Sequence, residues 1–359
     1  MKIIITAPSL DTSQNVSGVS AVTNFIINNN SSHYYEHFLQ GRNDSEKEGT
    51  MGRLIRVVKN YVQWKNTIKK NKYGIIHYNY PLDTPSILRD YFFMRFAKRR
   101  GESILIHIHG GLYLFKKGKP WIIRLILNDV FSWSCPFIVL SEKEKSVIQQ
   151  EYRTRNVYVL PNCVDLTDAS NYNRTNVQDK ILHILYLGRV EPNKGVDYLL
   201  SASEKLKAEG VKFVLHIAGR DQCKDYYIPL FQESLKESFV YEGIVTGHSK
   251  TELLKKCQLF ILPSFYEGLP ISLLEAMSFG EVPIVTDVGS IGEVVKDRVN
   301  GIIVRTKDSD SIVDAIQQLN NDRSLLKNLS ERAKSTIMNN YSPDEYISKL
   351  NVIYESYKS

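Results

Sequence analysis

Short runs of β-branched and aliphatic residues alternate with amphipathic stretches along the whole chain. That rhythm leaves few options besides parallel sheets wrapped by helices. In the first half it predicts strands at residues 2–7, 75–78, 104–109, 137–140 and 157–160, with helices at 19–28, 53–71, 85–100, 120–133 and 142–151. The second half repeats the alternation. Its strands fall at 184–187, 212–218, 239–241, 259–262, 282–286 and 301–304, and its helices near 195–208, 228–237, 250–257, 270–279 and 310–320. Two further helices close the chain at 324–339 and 343–357. Residues 165–180 are rich in Asn, Asp, Thr and Ser and poor in apolar side chains, which reads as a linker. A length of 359 residues agrees with two domains. The expected fold is therefore α/β, with two Rossmann-like doubly wound domains at 1–167 and 168–342. They would face each other across a cleft at the carboxyl ends of both sheets, where ligands of such sheets bind.

The most informative stretch runs from Pro263 to Met277, after the apolar strand 259–262. Glu267 and Glu275 stand eight positions apart across Gly268, Leu269, Pro270 and the opening of a helix. Pro270 suits the first helical position and Gly280 the stop. The free N–H groups of that helix start, with those of the Gly268–Leu269 turn, form an anion site. A pyrophosphate bridging two sugars fits there, one sugar reaching Glu267 and the other Glu275.

A second strand exit, Gly188-Arg189-Val190-Glu191-Pro192-Asn193-Lys194-Gly195, carries two cations. Arg189 offers a fork of donors and Lys194 a mobile point charge, which suits a departing pyrophosphate. The plain alternative is two solvated surface charges. Gly219-Arg220 ends another strand; Gly219 permits close approach of a base or ribose, or simply makes a turn. In the first half, His109 precedes Gly110-Gly111 at a strand end and is expected at the cleft, while His107 is expected in the core. Gly18, in Asn15-Val16-Ser17-Gly18, opens a helix and lets backbone N–H groups approach a phosphate, or is a turn glycine. The run lacks the G-x-G-x-x-G of a dinucleotide fold, which argues against a nicotinamide dehydrogenase.

Charge is unevenly spread. Residues 1–168 hold 23 Lys+Arg and 14 Asp+Glu, a balance of +9; residues 169–359 hold 23 and 25, a balance of −2. The first half is thus expected to meet something anionic: nucleic acid, a membrane surface or a phosphorylated substrate. Three basic segments interleave apolar residues: 53–70, 89–100 and 115–123, the last with Trp121 among lysines. That suits an anionic bilayer, or a solvated helix face whose apolar side packs on the sheet. The basic residues form no recognised nucleic-acid module, so nucleic acid is not an expected partner. No transmembrane run, signal-peptide pattern or Cys-x-x-Cys pair appears. The expected location is cytoplasmic, with peripheral attachment to the inner face of the cell membrane.

Four motifs in order resemble the retaining glycosyltransferases of family 4, whose fold is GT-B. They are Pro161-Asn162-x-Val164-Asp165; Gly188-Arg189-x4-Lys194-Gly195; Glu267-x7-Glu275; and a Gly-x-Pro-x-Val…Gly…Glu pattern over Gly280–Glu293, with Glu281 as a variable residue. The resemblance implies that Arg189 and Lys194 hold the donor diphosphate. Glu267 would bind hydroxyls of the transferred sugar, with the backbone of Gly268, Leu269 and Pro270 beside it. Glu275 would bind the ribose, Gly18 would give its N–H to the diphosphate, and His109 would face the sugar. The last helix, 343–359, would cross back onto the first domain. The implied reaction moves a hexose or N-acetylhexosamine from a nucleotide sugar, with uridine as the base, to a hydroxyl of a saccharide or lipid-linked saccharide, with retention. No Asp-x-Asp signature sits at a strand exit, so side-chain cations are expected to replace a metal and no cofactor is expected. A sugar-nucleotide epimerase or a non-catalytic nucleotide-sugar-binding protein of the same fold are the rival readings.

Overall fold

A computed structural model of the chain describes residues 1–12, 14–15, 17–41 and 49–357; Val16 lies outside the described residues. The chain divides into two compact units. One joins Met1–Asn162 to Asp344–Ser359; the other is Cys163–Pro343.

The first unit holds β1 (Lys2–Ala7), β2 (Tyr34–Leu39), β3 (Ile75–Asn79), β4 (Ile104–His107), β5 (Phe137–Val139) and β6 (Val157–Val159). They form one parallel sheet in the order β2-β1-β3-β4-β5-β6. Ile3, Ile4 and Ile5 are all fully buried, as expected of a central strand covered on both faces. The order reverses between β1 and β3, which places a switch point beside the exits of those two strands.

The second unit holds β7 (Leu182–Leu187), β8 (Phe213–Ala218), β9 (Phe239–Gly243), β10 (Leu259–Leu262), β11 (Val282–Thr286) and β12 (Ile302–Val304). Its parallel order is β12-β11-β10-β7-β8-β9, so the switch point lies between β7 and β10.

The helices at 195–208 and 270–279 prove to begin at Val196 and Ile271, one residue later than expected. Pro270 is the N-cap, with extended ψ of 126°, rather than the first helical residue. It cannot donate, so nothing is lost by that placement. The far end closes as expected: the N–H groups of Gly280 and Glu281 bond to the carbonyls of Met277 and Ala276 at 2.9 and 3.0 Å.

Residues 165–180 are not a free linker. They contain a short helix, Thr167–Ser170, and a 3-10 turn, Asn176–Gln178. The Arg174 guanidinium donates to the carbonyls of Leu254 (2.8 Å), Lys255 (3.2 Å) and Phe279 (3.0 Å). One cation therefore satisfies the carboxyl ends of two helices, and the polar stretch is pinned to the second unit. The last helix, Pro343–Ser356, packs within the first unit. It buries Tyr346, Leu350 and Tyr354, and Phe25 meets Tyr346 edge-on at 5.8 Å.

The helix Thr50–Lys70 buries Trp64 and Ile68 but leaves Met51, Leu54, Ile55, Val58 and Val62 exposed. The expectation that its apolar side packs on the sheet holds only for its second half.

Glu281, just before β11, is fully buried, and neither carboxylate oxygen has a hydrogen-bond partner among the described residues. Burial pushes its carboxyl well above the ordinary value, opposed by the nearby Arg174 charge. A carboxyl raised by folding binds more protons in the native state. Its contribution is therefore complete below the unfolded value near 4.5 and is lost as pH rises. Glu281→Gln removes that loss and is expected to raise the melting temperature at pH 7 to 8 by about 2–6 °C. Thermal unfolding from pH 4.5 to 8 checks this; a lower melting temperature at pH 8 would show Glu281 to be a stabilising anion.

Candidate functional site

The exits of β7 and β10 meet because the switch point makes those strands neighbours, with Leu259 opposite Ile184. The Phe265 N–H donates to the Asn193 carbonyl at 2.9 Å and ties the two loops. Across the same junction, Lys194 Nζ donates to Glu267 Oε1 at 2.6 Å. Ser264 Oγ donates to the same oxygen at 2.7 Å, and Thr286 Oγ1 donates to the Ser264 carbonyl at 2.5 Å. Glu267 is only 8% exposed, so one carboxylate oxygen is committed to the protein in a nearly dry setting.

Two glycines make this geometry feasible. Gly289, at φ +59°, lies against the Glu267 carbonyl; a Cβ there would stand 2.1 Å from that oxygen. The N–H of the next residue, Ser290, donates to the Gly268 carbonyl at 3.0 Å, so this contact supports the Glu267 turn. Gly219, at φ +140°, would place a Cβ 1.9 Å from the Gly188 carbonyl oxygen. Its missing side chain serves that backbone crossing.

Arg189 is exposed, and its guanidinium makes no hydrogen bond or ion pair to the described residues; its carbonyl accepts from the Tyr186 hydroxyl at 2.6 Å. Arg220 is partly exposed and its carbonyl accepts from the Val190 N–H at 2.9 Å, joining the exits of β7 and β8. The helix Ile271–Ser278 has no side-chain cap, so its opening N–H groups face the end of β10 unclaimed by a capping side chain. Glu275, on that helix, accepts from Lys250 Nζ at 2.6 Å. Gly188, Gly268 and Pro270 are partly exposed, and Leu269 is buried. Arg189, Lys194 and Arg220 thus follow the exits of neighbouring strands β7 and β8, and Lys194 and Lys250 each pair with a carboxylate on the segment after β10.

The first unit carries a separate polar cluster. His109 lies two residues past β4, half-buried, its Nε2 at 2.7 Å from Asn79 Oδ1. His107 is fully buried, as expected, and stacks on His109 with ring centroids 4.0 Å apart. His77 Nε2 lies 3.1 Å from His107 Nδ1, and its Nδ1 lies 2.6 Å from the Tyr354 hydroxyl. Burial lowers the His77 and His109 pKa values to about 3 and holds that of His107 well below the ordinary value. All three rings are therefore neutral above mildly acidic pH. Gly18 begins the helix Gly18–Asn29, exposed, with no atom near the place its side chain would take.

Lys250, Ser264, Thr286 and Asn79 were missed by sequence reasoning. No periodicity marks Lys250 as the partner of Glu275, and Asn79 reads as an ordinary strand residue. A clue was available in Asn79, which ends β3, and His109, two residues past the neighbouring β4.

Among the described residues, no helix is long and apolar enough to cross a membrane, and no group of three His, Cys, Asp or Glu is placed to hold a metal ion. The cysteines are unbridged.

Comparison with known proteins follows the same geometry. Residues 170–336, the greater part of the second unit, match the family model described as glycosyl transferases group 1. An uncharacterized glycosyltransferase of Methanocaldococcus jannaschii is 33% identical over 188 residues, 52% of this chain, which spans about half (48%) of that protein. The Escherichia coli UDP-Gal:alpha-D-GlcNAc-diphosphoundecaprenol alpha-1,3-galactosyltransferase is 25% identical over 320 residues, 84% of this chain and 80% of its own. Sucrose-phosphate synthase from Thermosynechococcus elongatus superposes with a TM-score of 0.79 at 15% identity, covering 99% of this chain and 98% of its own. The fold is thus that of the GT-B glycosyltransferases, two parallel six-stranded sheets with flanking helices. Together the matches show the fold and a second unit similar to glycosyl transferases group 1.

Gly289→Ala is expected to destabilise the second unit by about 2–4 kcal/mol, through left-handed strain and the clash with the Glu267 carbonyl. Denaturant unfolding measures it. Wild-type stability would mean that the Glu267 turn yields freely.

Proposed function

We propose that this chain is a retaining, metal-independent glycosyltransferase. It would move a hexose or N-acetylhexosamine from a UDP-sugar to a hydroxyl of a lipid-diphosphate-linked saccharide, in the synthesis of a cell-surface polysaccharide. The observation that carries this reading is the Lys194–Glu267 contact at the second switch point, with Arg189 unengaged beside it.

Breaking the bond from the sugar C1 to the diphosphate oxygen builds positive charge on the sugar and negative charge on the diphosphate. Arg189, Lys194 and the uncapped start of Ile271–Ser278 would stabilise the second charge, most strongly in the transition state. Lys194 would exchange part of its hold on Glu267 for the phosphate, which leaves Glu267 to accept from sugar hydroxyls. Lys250 would likewise yield Glu275 to the ribose. The role of Glu267 is binding rather than nucleophilic attack: Lys194 and Ser264 both claim one of its oxygens. Retention then comes from attack on the departing face, with the leaving phosphate accepting the acceptor's proton. Gly18 and His109 carry over from the family resemblance as contacts to diphosphate and sugar.

Two features support a lipid-linked acceptor. The Escherichia coli relative is named for a diphosphoundecaprenol-linked acceptor. The first unit exposes Leu54, Val58 and Val62 at successive turns of one helix, with Arg53 and Lys59 beside them, and Trp121, Ile122 and Leu125 on another. Apolar side chains flanked by cations suit the anionic inner leaflet.

Lys194→Ala is expected to lower turnover about 10²–10³-fold in protein that stays folded at the assay temperature, with a lower unfolding temperature because Glu267 loses its cation. Release of UDP from UDP-galactose, with diphosphoundecaprenol-linked GlcNAc as acceptor, is the assay; near-normal turnover would remove Lys194 from the mechanism. A thermal-shift series with UDP-, GDP- and ADP-sugars should show stabilisation by the uridine donors. Flotation with phosphatidylglycerol liposomes tests the membrane face. Binding that Leu54→Asp with Val58→Asp abolishes supports it, and no binding at low salt overturns it.

A further inference from the structure

The strands β8 and β9 fall out of register at their carboxyl ends. Ile217 stands opposite Tyr241 and Ala218 opposite Gly243, so Glu242 is an extra residue on β9. Such bulges are rare in parallel pairs and collect beside functional sites, where they re-aim a strand end. Gly243 closes the step in the left-handed region, at φ +65°. The bulge brings Gly243 level with Ala218, and the Gly243 carbonyl accepts from the N–H of Gly219, the first residue past β8, at 2.7 Å. On the other side of the extra residue, the Tyr241 hydroxyl donates to the Gly219 carbonyl at 2.9 Å. Both backbone groups of Gly219 are thus taken by β9, while its bare Cα lies against the Gly188 carbonyl. The residues that follow are zipped to the end of β7. The Val190 N–H donates to the Arg220 carbonyl at 2.9 Å and the Gln222 N–H to the Val190 carbonyl at 3.0 Å. The Arg220 guanidinium makes no hydrogen bond or ion pair to the described residues.

A polar line across the sheet holds the extra residue in place. Glu242 Oε1 lies 2.7 Å from Nδ1 of His216, a fully buried ring on β8. His216 Nε2 lies 2.9 Å from His183 Nδ1, on β7. The His183 backbone N–H donates to Oε1 of Gln258, just before β10, at 2.7 Å. Burial keeps both histidines below their ordinary pKa, with Lys256 adding to it and Glu242 and Asp179 opposing. Neutral rings and a carboxylate that only accepts leave one direction: His183 donates to His216, and His216 donates to Glu242. Without Glu242 the His216 Nδ1–H would be a buried donor with nothing to bond.

We propose that Glu242 is a positioning residue: through His216 and the β9 bulge it fixes the Gly219–Arg220 exit, and with it the hold of that exit on a nucleoside diphosphate. The carboxylate touches no ligand. It keeps the end of β9 where Tyr241 and Gly243 can grip Gly219, so that Arg220 projects from a backbone bonded on both sides. This rests on the reading above that the second unit binds the diphosphate; the bracing of Gly219 stands apart from it.

The test uses the full chain, with UDP as the probe, below the unfolding temperature of each variant. Without ligand, amide exchange at Gly219 and Val190 should be about tenfold faster in Glu242→Leu than in the parent and unchanged in Glu242→Gln, whose amide oxygen still accepts from His216. Parent-like exchange in Glu242→Leu overturns the brace. With UDP present, Glu242→Leu should weaken binding about fivefold to tenfold, and Glu242→Gln should stay within about twofold of the parent. In an Arg220→Ala background the same change to Leu should cost nothing further, because the side chain it positions is gone. Losses that simply multiply would show that Glu242 acts elsewhere and end its positioning role. Should Glu242→Leu fail to fold, Tyr241→Phe removes only the exposed hydroxyl that bonds the Gly219 carbonyl. Faster Gly219 exchange with weaker UDP binding then supports the proposal, and a parent value in either measure sinks it. If the parent binds no UDP while exchange responds as stated, the glycosyltransferase reading fails and the brace stands.

Discussion

The contact on which the rest of the second unit depends is the bond from Lys194 to Glu267 across the exits of β7 and β10. Chain order alone would keep these residues apart. The sheet reverses direction between β7 and β10, and that makes the two strand ends neighbours. Every supporting device then serves the same junction: the Phe265 N–H on the Asn193 carbonyl, the Ser264 hydroxyl on Glu267, and Gly289 packed where no side chain fits. A buried ion pair is a weak source of stability, because desolvation offsets its attraction. Its worth here is a cation and an anion held ready in a low-dielectric pocket, where either can be exchanged for a ligand group.

The fold was legible because parallel sheets are written as apolar runs, and both central strands are of that kind. β2 was not, since its Tyr34-Tyr35-Glu36-His37-Phe38-Leu39 is an edge strand with a wet face and lacks the apolar signal. The polar stretch 165–180 misled for the opposite reason. Its composition is that of a linker, yet Arg174 spends its donors on helix-end carbonyls that no composition count reveals. At the site, the local motifs were readable: strand, turn, cation or carboxylate, helix. Partnerships across 73 residues, as for Lys194 and Glu267, or 25, as for Lys250 and Glu275, depend on register and crossing. Gly219 shows the limit well. Its conformational freedom was correctly read, but the atom it makes room for is the Gly188 carbonyl oxygen.

The two units solve the problem of buried polarity differently. The second unit pairs opposite charges, Lys194 with Glu267 and Lys250 with Glu275. The first keeps its histidines uncharged and passes hydrogen bonds from ring to ring, ending on Tyr354. Charge pairs can be re-partnered by an anionic ligand at little rearrangement. A neutral relay offers only direction: which atom donates and which accepts.

Bulk charge points the other way from local chemistry in both cases, and distance explains why. Residues 1–168 carry a balance of +9, yet the sheet edge at His109 is held by neutral groups. Residues 169–359 carry −2, yet the exits of β7 and β8 carry Arg189, Lys194 and Arg220. At physiological ionic strength a charge is largely screened beyond about 8 Å of solvent. The basic helices of the first unit therefore act on whatever surface lies directly against them, and add little at the His109 edge. Binding of a small anion depends on the few cations within bonding reach, so the net charge of a half does not decide where such an anion binds.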